Sequence, residues 1–323
     1  MIKIVFKENE TVKVKILKDF SKKLESFPNT LWIDLFKASR EEIRWLSENL
    51  KIKVPSRAEV EEIESSSRYW EEEGIIKINT YFLIEEKNKN REIELNFVIN
   101  ESITFILKDN ILITIRYKEL STFNEIIKRL MINSKPYKNG LYIFADILSL
   151  RIDKDADILE KLTREISQLS KYAIAGVDIT EQIIETISFY EESNMTIREN
   201  LIDKQRVLSS LLKSYQIPLE LKEEFRIMIK DVASLINYTS FNFDKLTYLQ
   251  NTFLGLINLK QNRIIKVLTI ISVLFAPATL VASIFGMNFQ GIPFGNSNLG
   301  FWFGTAMIVI AMILAGLYLK NLK

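Results

Sequence analysis

Neither cysteine nor histidine occurs in the 323 residues. Their absence excludes disulfides, thiol and imidazole nucleophiles, and the sulfur and nitrogen ligands on which zinc, copper and nickel sites normally depend. What remains to a metal is oxygen, which suits hard cations. Charge is missing as well from residues 267–319, a run of 53 with no Asp, Glu, Lys or Arg. Of 84 charged side chains only Lys320 and Lys323 follow that run. A chain divided in this way reads as a large water-soluble part and then a short membrane part. Without the two terminal lysines the formal net charge of +2 falls to zero over the first 266 residues, so no bulk basic field points to nucleic acid as a partner. The opening M-I-K-I-V-F-K-E-N-E lacks the apolar core of a secretory signal, and the soluble part is expected in the cytoplasm. No Gly-rich phosphate loop or nucleophile elbow is present, which weighs against an enzyme and against an ATP-driven process.

In the first third, residues 3–7, 11–17, 30–35 and 75–85 carry the β-branched and aromatic content of strands. Residues 103–117, I-T-F-I-L-K-D-N-I-L-I-T-I-R-Y, predict a hairpin turning at Asp109-Asn110. Helices are expected over 40–50 and 56–64, the second opened by a capping-box pattern of Ser56 and Glu59. These elements make an α/β domain over residues 1–140. From residue 141 strand signals stop, and 141–173 and 178–214 are helical, giving a second, helical region over 141–218. Pro218 suits a helix start. From 219 to 285 only Gly255 and Pro277 interrupt helix-forming sequence, and Leu246, Leu249, Phe253, Leu256 and Leu259 recur in steps of three and four. A helix over 219–285 would run roughly 100 Å, too long for the body of a globular domain. The chain shows no internal repeat.

Residues 267–285 and 301–319 are each long enough to cross a bilayer. Lys260, Arg263 and Lys266 precede the first span, Lys320 and Lys323 follow the second, and the connector 286–300 has no charge. The positive-inside rule therefore places both termini in the cytoplasm and the connector outside. Two helices cannot enclose a polar path, so any channel must be oligomeric. On the first span Ser272, Ala276, Thr279 and Ser283 form one stripe, which extends through Leu268 or Thr269 and Ile265 to Asn262. Such a stripe reads either as a narrow pore lining with an apolar collar at its inner end or as helix-packing glue. At its outer end stands Gly286-Met287-Asn288. Glycine and asparagine tolerate a left-handed helix end, which accounts for both without a ligand.

The segment N-R-I-I-K-V-L-T-I-I-S-V-L-F-A-P-A-T-L-V-A-S-I-F-G-M-N-F, residues 262–289, resembles the signature of the CorA family of magnesium channels, most closely its proteobacterial members. The likeness extends to W-I-D-L at residues 32–35, E-V-E-E-I-E-S-S-S-R-Y-W-E-E-E at 59–73, the long stalk, the two spans and the short basic tail. Gly-Met-Asn alone is a weak motif; at the outer end of the penultimate span, after P-x-T-L-x-A-S, it is specific. The resemblance implies a funnel-shaped homopentamer in the inner cell membrane: a cytoplasmic α/β domain, a long helical stalk continuing into the first transmembrane helix, an external loop over 286–300, a second transmembrane helix and a cytoplasmic tail over 320–323. It implies uptake of magnesium without a cofactor, driven by the membrane potential, with magnesium inside the cell closing the channel.

Carried over by position, Asn288 and Gly286 form the outer selectivity ring around a hydrated ion, Met287 holds the loop, Thr279 and Ser283 are polar pore positions, and Ile265 and Leu268 form the hydrophobic constriction. The family's further apolar pore residue, often Met, is Ala276 here. Arg263, Lys266, Lys320 and Lys323 read either as a basic collar or as ordinary topology signals. Relatives usually carry acidic residues just after Gly-Met-Asn, where this chain has Gln290 and Phe294, so the mouth lacks a ring of negative charge. Glu59, Glu61, Glu62, Glu64 and Glu71 to Glu73 are expected on solvated helix faces, and the carboxylates of any regulatory magnesium site stay unassigned. Cobalt, nickel or zinc are alternative cargoes, although Met287 weighs against zinc; a membrane-anchored sensor or scaffold is the alternative from another class.

Overall fold

The computed structural model describes residues 1–9, 11–55, 68–87, 96–174, 181–287 and 298–321. They form two compact units, Met1–Leu249 and Gln250–Lys323. The expected helix at 56–64, its Ser56–Glu59 capping box and Glu59, Glu61, Glu62 and Glu64 lie outside the described residues.

The first unit is built on a seven-stranded sheet of β1 (Ile2–Glu8), β2 (Thr11–Leu17), β3 (Thr30–Phe36), β4 (Tyr69–Glu72), β5 (Ile75–Lys87), β6 (Asn96–Lys108) and β7 (Ile111–Arg116), in the order β2-β1-β3-β7-β6-β5-β4. Every neighbouring pair is antiparallel except β3 and β7, which run parallel with Ile33 beside Ile113. Alternation sends Ile2, Ile4, Ile33, Leu35, Ile113 and Ile115 to one face, where they bury Trp45, Leu46 and Leu50 of helix α1 (Arg40–Leu50). The opposite face carries Trp32, Phe82 and Phe105, which meet Phe123 of α2 (Ser121–Ile132) and Phe144 of α3 (Gly140–Ile174) at ring-centroid distances of 5.1–6.1 Å.

Helix α1 begins with a capping box: Ser39 Oγ accepts from the Glu42 amide at 3.2 Å, and the Ser39 amide donates to Glu42 Oε2 at 2.7 Å. The β6–β7 hairpin turns at Asp109 and Asn110, both at positive φ (48° and 67°), as an Asp-Asn two-residue turn requires. Close behind it sits Gly140, whose amide donates to the Asn110 carbonyl at 2.7 Å. A Cβ on Gly140 would stand 2.2 Å from the Leu112 nitrogen, so only glycine lets α3 start against the hairpin.

Three further α-helices are described: α4 (Glu181–Lys213), α5 (Leu219–Phe285) and, in the second unit, α6 (Asn298–Asn321). Helix α5 carries the chain from one unit into the other. Within the first unit it buries Leu221, Phe225, Met228, Val232, Thr239, Asn242, Leu246 and Leu249 in steps of three, four and seven. Leu259, which the same periodicity includes, is exposed.

One expectation is corrected. Glu71 and Glu72 lie on the edge strand β4 and Glu73 in the turn after it, at positive φ, so the three are not on a helix face. Glu71 Oε1 accepts from Ser214 Oγ at 3.0 Å and Gln216 Nε2 at 2.8 Å, tying the edge strand to the segment after α4. Helix α2 falls where no element was expected, although Phe123, Ile126 and Leu130 recur in steps of three and four; their burial against the sheet holds it.

The W-I-D-L stretch has a structural role. Asp34, with no exposed surface, accepts from Arg116 Nε at 3.0 Å and Nη2 at 2.9 Å, and from Thr114 Oγ1 at 2.8 Å; Thr114 in turn accepts from Trp32 Nε1 at 3.0 Å. This clamp spans the one parallel strand pair of the sheet. Breaking a buried pair from one side strands a charge, so Asp34→Ala is expected to cost about 3–5 kcal/mol. The thermal midpoint of the full-length protein in detergent checks this, and Asp34→Leu with Arg116→Met should recover much of the loss.

Candidate functional site

The second unit consists of residues 250–285 of α5 together with α6. Among the described residues, two helices, Leu219–Phe285 and Leu299–Lys320, contain stretches long and apolar enough to cross a bilayer, with mean hydropathy of 2.3 and 2.1. In hydrocarbon every backbone polar group must be satisfied within the helix, which is why these uncharged runs stay helical.

Burial divides the first span into two faces. Leu274, Pro277, Ala278, Val281 and Phe285 are partly or wholly covered, and they recur at helical spacing. Their partner is α6: the Phe285 ring meets Phe303 edge-on at a centroid distance of 6.4 Å and lies 3.6 Å from where a Cβ on Gly304 would be. Gly304, Ile308, Ala311, Ala315 and Leu319 form the matching, less exposed seam of α6. Ser272, Ala276, Thr279 and Ser283 are all exposed, roughly half a turn away from the covered face at about 100° per residue. Small residues glue this hairpin together, and they are Ala278 and Gly304, outside the Ser/Thr stripe. The steps of four and seven from Gly304 to Ala311 and Ala315 were legible as a packing face, and the sequence reading passed over them.

Along the open face the side chains have defined states. Thr279 Oγ1 donates to the Phe275 carbonyl at 3.0 Å, and Thr269 Oγ1 to the Ile265 carbonyl at 2.8 Å. Each hydroxyl proton is thus committed to the helix, and its lone pairs remain as acceptors. Ile265 and Leu268 are more than half exposed, and Asn262, Arg263 and Lys266 are exposed beside them. Pro277, on the covered face, has no amide to donate to the Val273 carbonyl.

The helix ends at Phe285. The Gly286 amide donates to the Ala282 carbonyl at 2.9 Å and the Met287 amide to that of Ile284 at 3.4 Å, tightening the last turn. The expectation that Gly286 serves a left-handed cap is not met, because among the described glycines only Gly74 has positive φ. Its small size matters instead, since a Cβ there would lie 3.2 Å from the Ala282 carbonyl oxygen. Met287 is half exposed. Asn288, Gln290, Phe294 and Lys323 lie outside the described residues. Lys320, in the last turn of α6, is exposed at the same end of the hairpin as Arg263 and Lys266.

Two paired, uncharged helices of membrane length define an integral membrane protein with two spans. The family model described as CorA-like Mg2+ transporter protein matches residues 29–321. The magnesium transport protein CorA of Wolinella succinogenes is 37% identical over 298 residues, covering 92% of each chain. The protein of the same name from Helicobacter pylori strain 26695 is 30% identical over 322 residues, 99% of each chain. In fold, the complete CorA magnesium transporter structure from Methanocaldococcus jannaschii matches 99% of this chain and 97% of its own with a TM-score of 0.75, at 22% identity. The chain belongs to the CorA-like Mg2+ transporter family, a family of transport proteins and not of enzymes.

The two faces predict different responses. Gly304→Leu forces a branched side chain against the Phe285 ring and should lower the thermal midpoint in detergent by several degrees, overpacking costing about 1–3 kcal/mol. Ser272→Ala on the open face should leave that midpoint unchanged.

Proposed function

We propose that the protein is a passive magnesium uptake channel of the inner cell membrane, with both termini in the cytoplasm. In this reading five copies assemble around an axis and their first spans turn the open stripe inward. The carrying observation is that Ser272, Ala276, Thr279 and Ser283 stay uncovered while the protomer's own second span packs on the opposite side. The magnesium transport proteins to which the chain is similar suggest the cargo.

Asn288 and Gly286 then form an outer ring of neutral amide and carbonyl oxygens, with Met287 holding the loop. Magnesium gives up its waters reluctantly, and such oxygens accept hydrogen bonds from the hydrated ion without stripping it. Neutral ligands also release it readily. Below the ring, Ser283 and Thr279 present further acceptors. Ile265 and Leu268 make a constriction that closes by excluding water, with Asn262 at its inner side, and Ala276 makes the upper gate wider than a methionine would. Arg263, Lys266, Lys320 and Lys323 collar the inner mouth. The driving force is the potential, about 4.6 kcal/mol for two charges at 100 mV. Closure by magnesium on the cytoplasmic side completes the cycle. Carriage of cobalt or nickel is the second reading, favoured by the same neutral oxygen ring.

Asn288→Ala in reconstituted vesicles should abolish selective magnesium flux; undiminished, still selective flux would remove the proposed ring. With Gln290 and Phe294 replacing acidic residues at the mouth, capture should be weak at limiting external magnesium and only slightly dependent on salt. Gln290→Glu is expected to raise uptake at limiting magnesium and to steepen its salt dependence, and unchanged uptake would contradict the assignment.

A further inference from the structure

At the centre of the first unit a lysine is enclosed where an ion could sit. Lys204 of α4 is 2% exposed and Asp155 of α3 has no exposed surface. The Lys204 ammonium faces three oxygens: it donates to the Tyr81 carbonyl of β5 at 2.8 Å and to Oδ1 of Asn200, and Asp155 Oδ2 stands 2.9 Å away. Each oxygen is held independently of the lysine. Asn200 Nδ2 donates to the Tyr81 carbonyl at 3.1 Å and to Asn100 Oδ1 at 2.7 Å, which obliges its own oxygen to face the ammonium. Asp155 Oδ1 is bound by Arg151, with the Nε contact at 2.7 Å.

Asp155 Oδ2 receives no aligned hydrogen bond, so its 2.9 Å approach to the ammonium is a charge contact without direction, the kind by which a carboxylate meets an ion. The lysine stem reaches this point through apolar surroundings, Leu148, Ile152, Val207 and Leu208. Burial presses the Lys204 ammonium below the ordinary lysine range; Asp155 opposes this and Arg151 adds to it. Beside it, Asp203 is occupied by Thr80 Oγ1 at 2.7 Å and Arg68 Nε at 3.4 Å.

We propose that Asp155, Asn200 and the Tyr81 carbonyl form a monovalent-cation site whose occupant is the chain's own Lys204 ammonium. The lysine is a compact, tethered charge that takes the place of a free ion of ammonium size. Only three protein oxygens converge on the ammonium, fewer than the six of the octahedron that magnesium demands, and Asp155 Oδ1 is already bound by Arg151. Asp155 therefore has no oxygen left for an ion from solution.

The test is Lys204→Ala in the full-length protein in detergent, melted at equal ionic strength in tetramethylammonium, potassium or ammonium chloride. In tetramethylammonium the variant should melt about 10 °C below the unsubstituted protein, because a buried carboxylate keeps Arg151 but has lost its second cationic partner. Potassium or ammonium should restore several degrees in a saturable manner, while the unsubstituted protein melts alike in all three salts. Adding Asp155→Asn to the variant should abolish the rescue. The same midpoint for Lys204→Ala in all three salts, or failure of that variant to fold even in ammonium, overturns the proposal. Equal rescue of the double variant, which would place the ion elsewhere, also overturns it.

Discussion

Hydrocarbon offers no hydrogen-bond partner, and the fold of the second unit follows from that single constraint. A backbone crossing it must satisfy its own amides and carbonyls, so residues 267–285 and 299–319 are helices, and ionised side chains stop at Lys266 and resume at Lys320. Because lipid is as apolar as leucine, burial does not hold the two helices together; close approach does, through Ala278, Gly304 and the Phe285 ring. The packing face being met by small and aromatic residues, the hydroxyl residues are left on the opposite side, available to whatever lies beyond the protomer.

The first unit obeys the reverse rule. In water the apolar faces of a sheet drive burial, and polar groups drawn inside must be paired. Asp34 with Arg116, and Asp155 with Arg151 and Lys204, are two answers to the same problem. The first spans the parallel pair β3 and β7, which no hairpin can join directly. The second joins the sheet to α3 and α4 through Tyr81 and Asn200. A pairing of this kind is costly to break, although a well-packed apolar replacement can equal it in stability.

Strands β1, β2, β3, β5 and β7, helix α1, the Asp109-Asn110 turn and the ends of α5 were legible because local pattern carried them: alternation, turn chemistry and a run broken by few helix-breakers. Helix α2 and strand β4 were not: the helical spacing of Phe123, Ile126, Ile127 and Leu130 was present but passed over, and Tyr69–Glu72 gains its strand character only by pairing with β5. Acidic Glu71 and Glu72 illustrate the loss: one-dimensional charge runs suggest a solvated helix, whereas cross-strand pairing and the contacts of Glu71 with Ser214 and Gln216 hold an edge. For the candidate site, the stripe of Ser272, Ala276, Thr279 and Ser283 was visible in its spacing, but its orientation was not.

By itself the sequence determined the chemical class. An uncharged run long enough for two crossings placed the chain at a bilayer, and the lack of thiol and imidazole left oxygen as the ligand for any metal, because each depends only on which residues are present and how far apart they stand. Only the tertiary structure decided which face of the first span is covered, why Gly140 must be small, and that Lys204 occupies a cage of oxygens. Each of these turns on approaches between residues distant in the chain, and distances of that kind are set by packing, which no local pattern records.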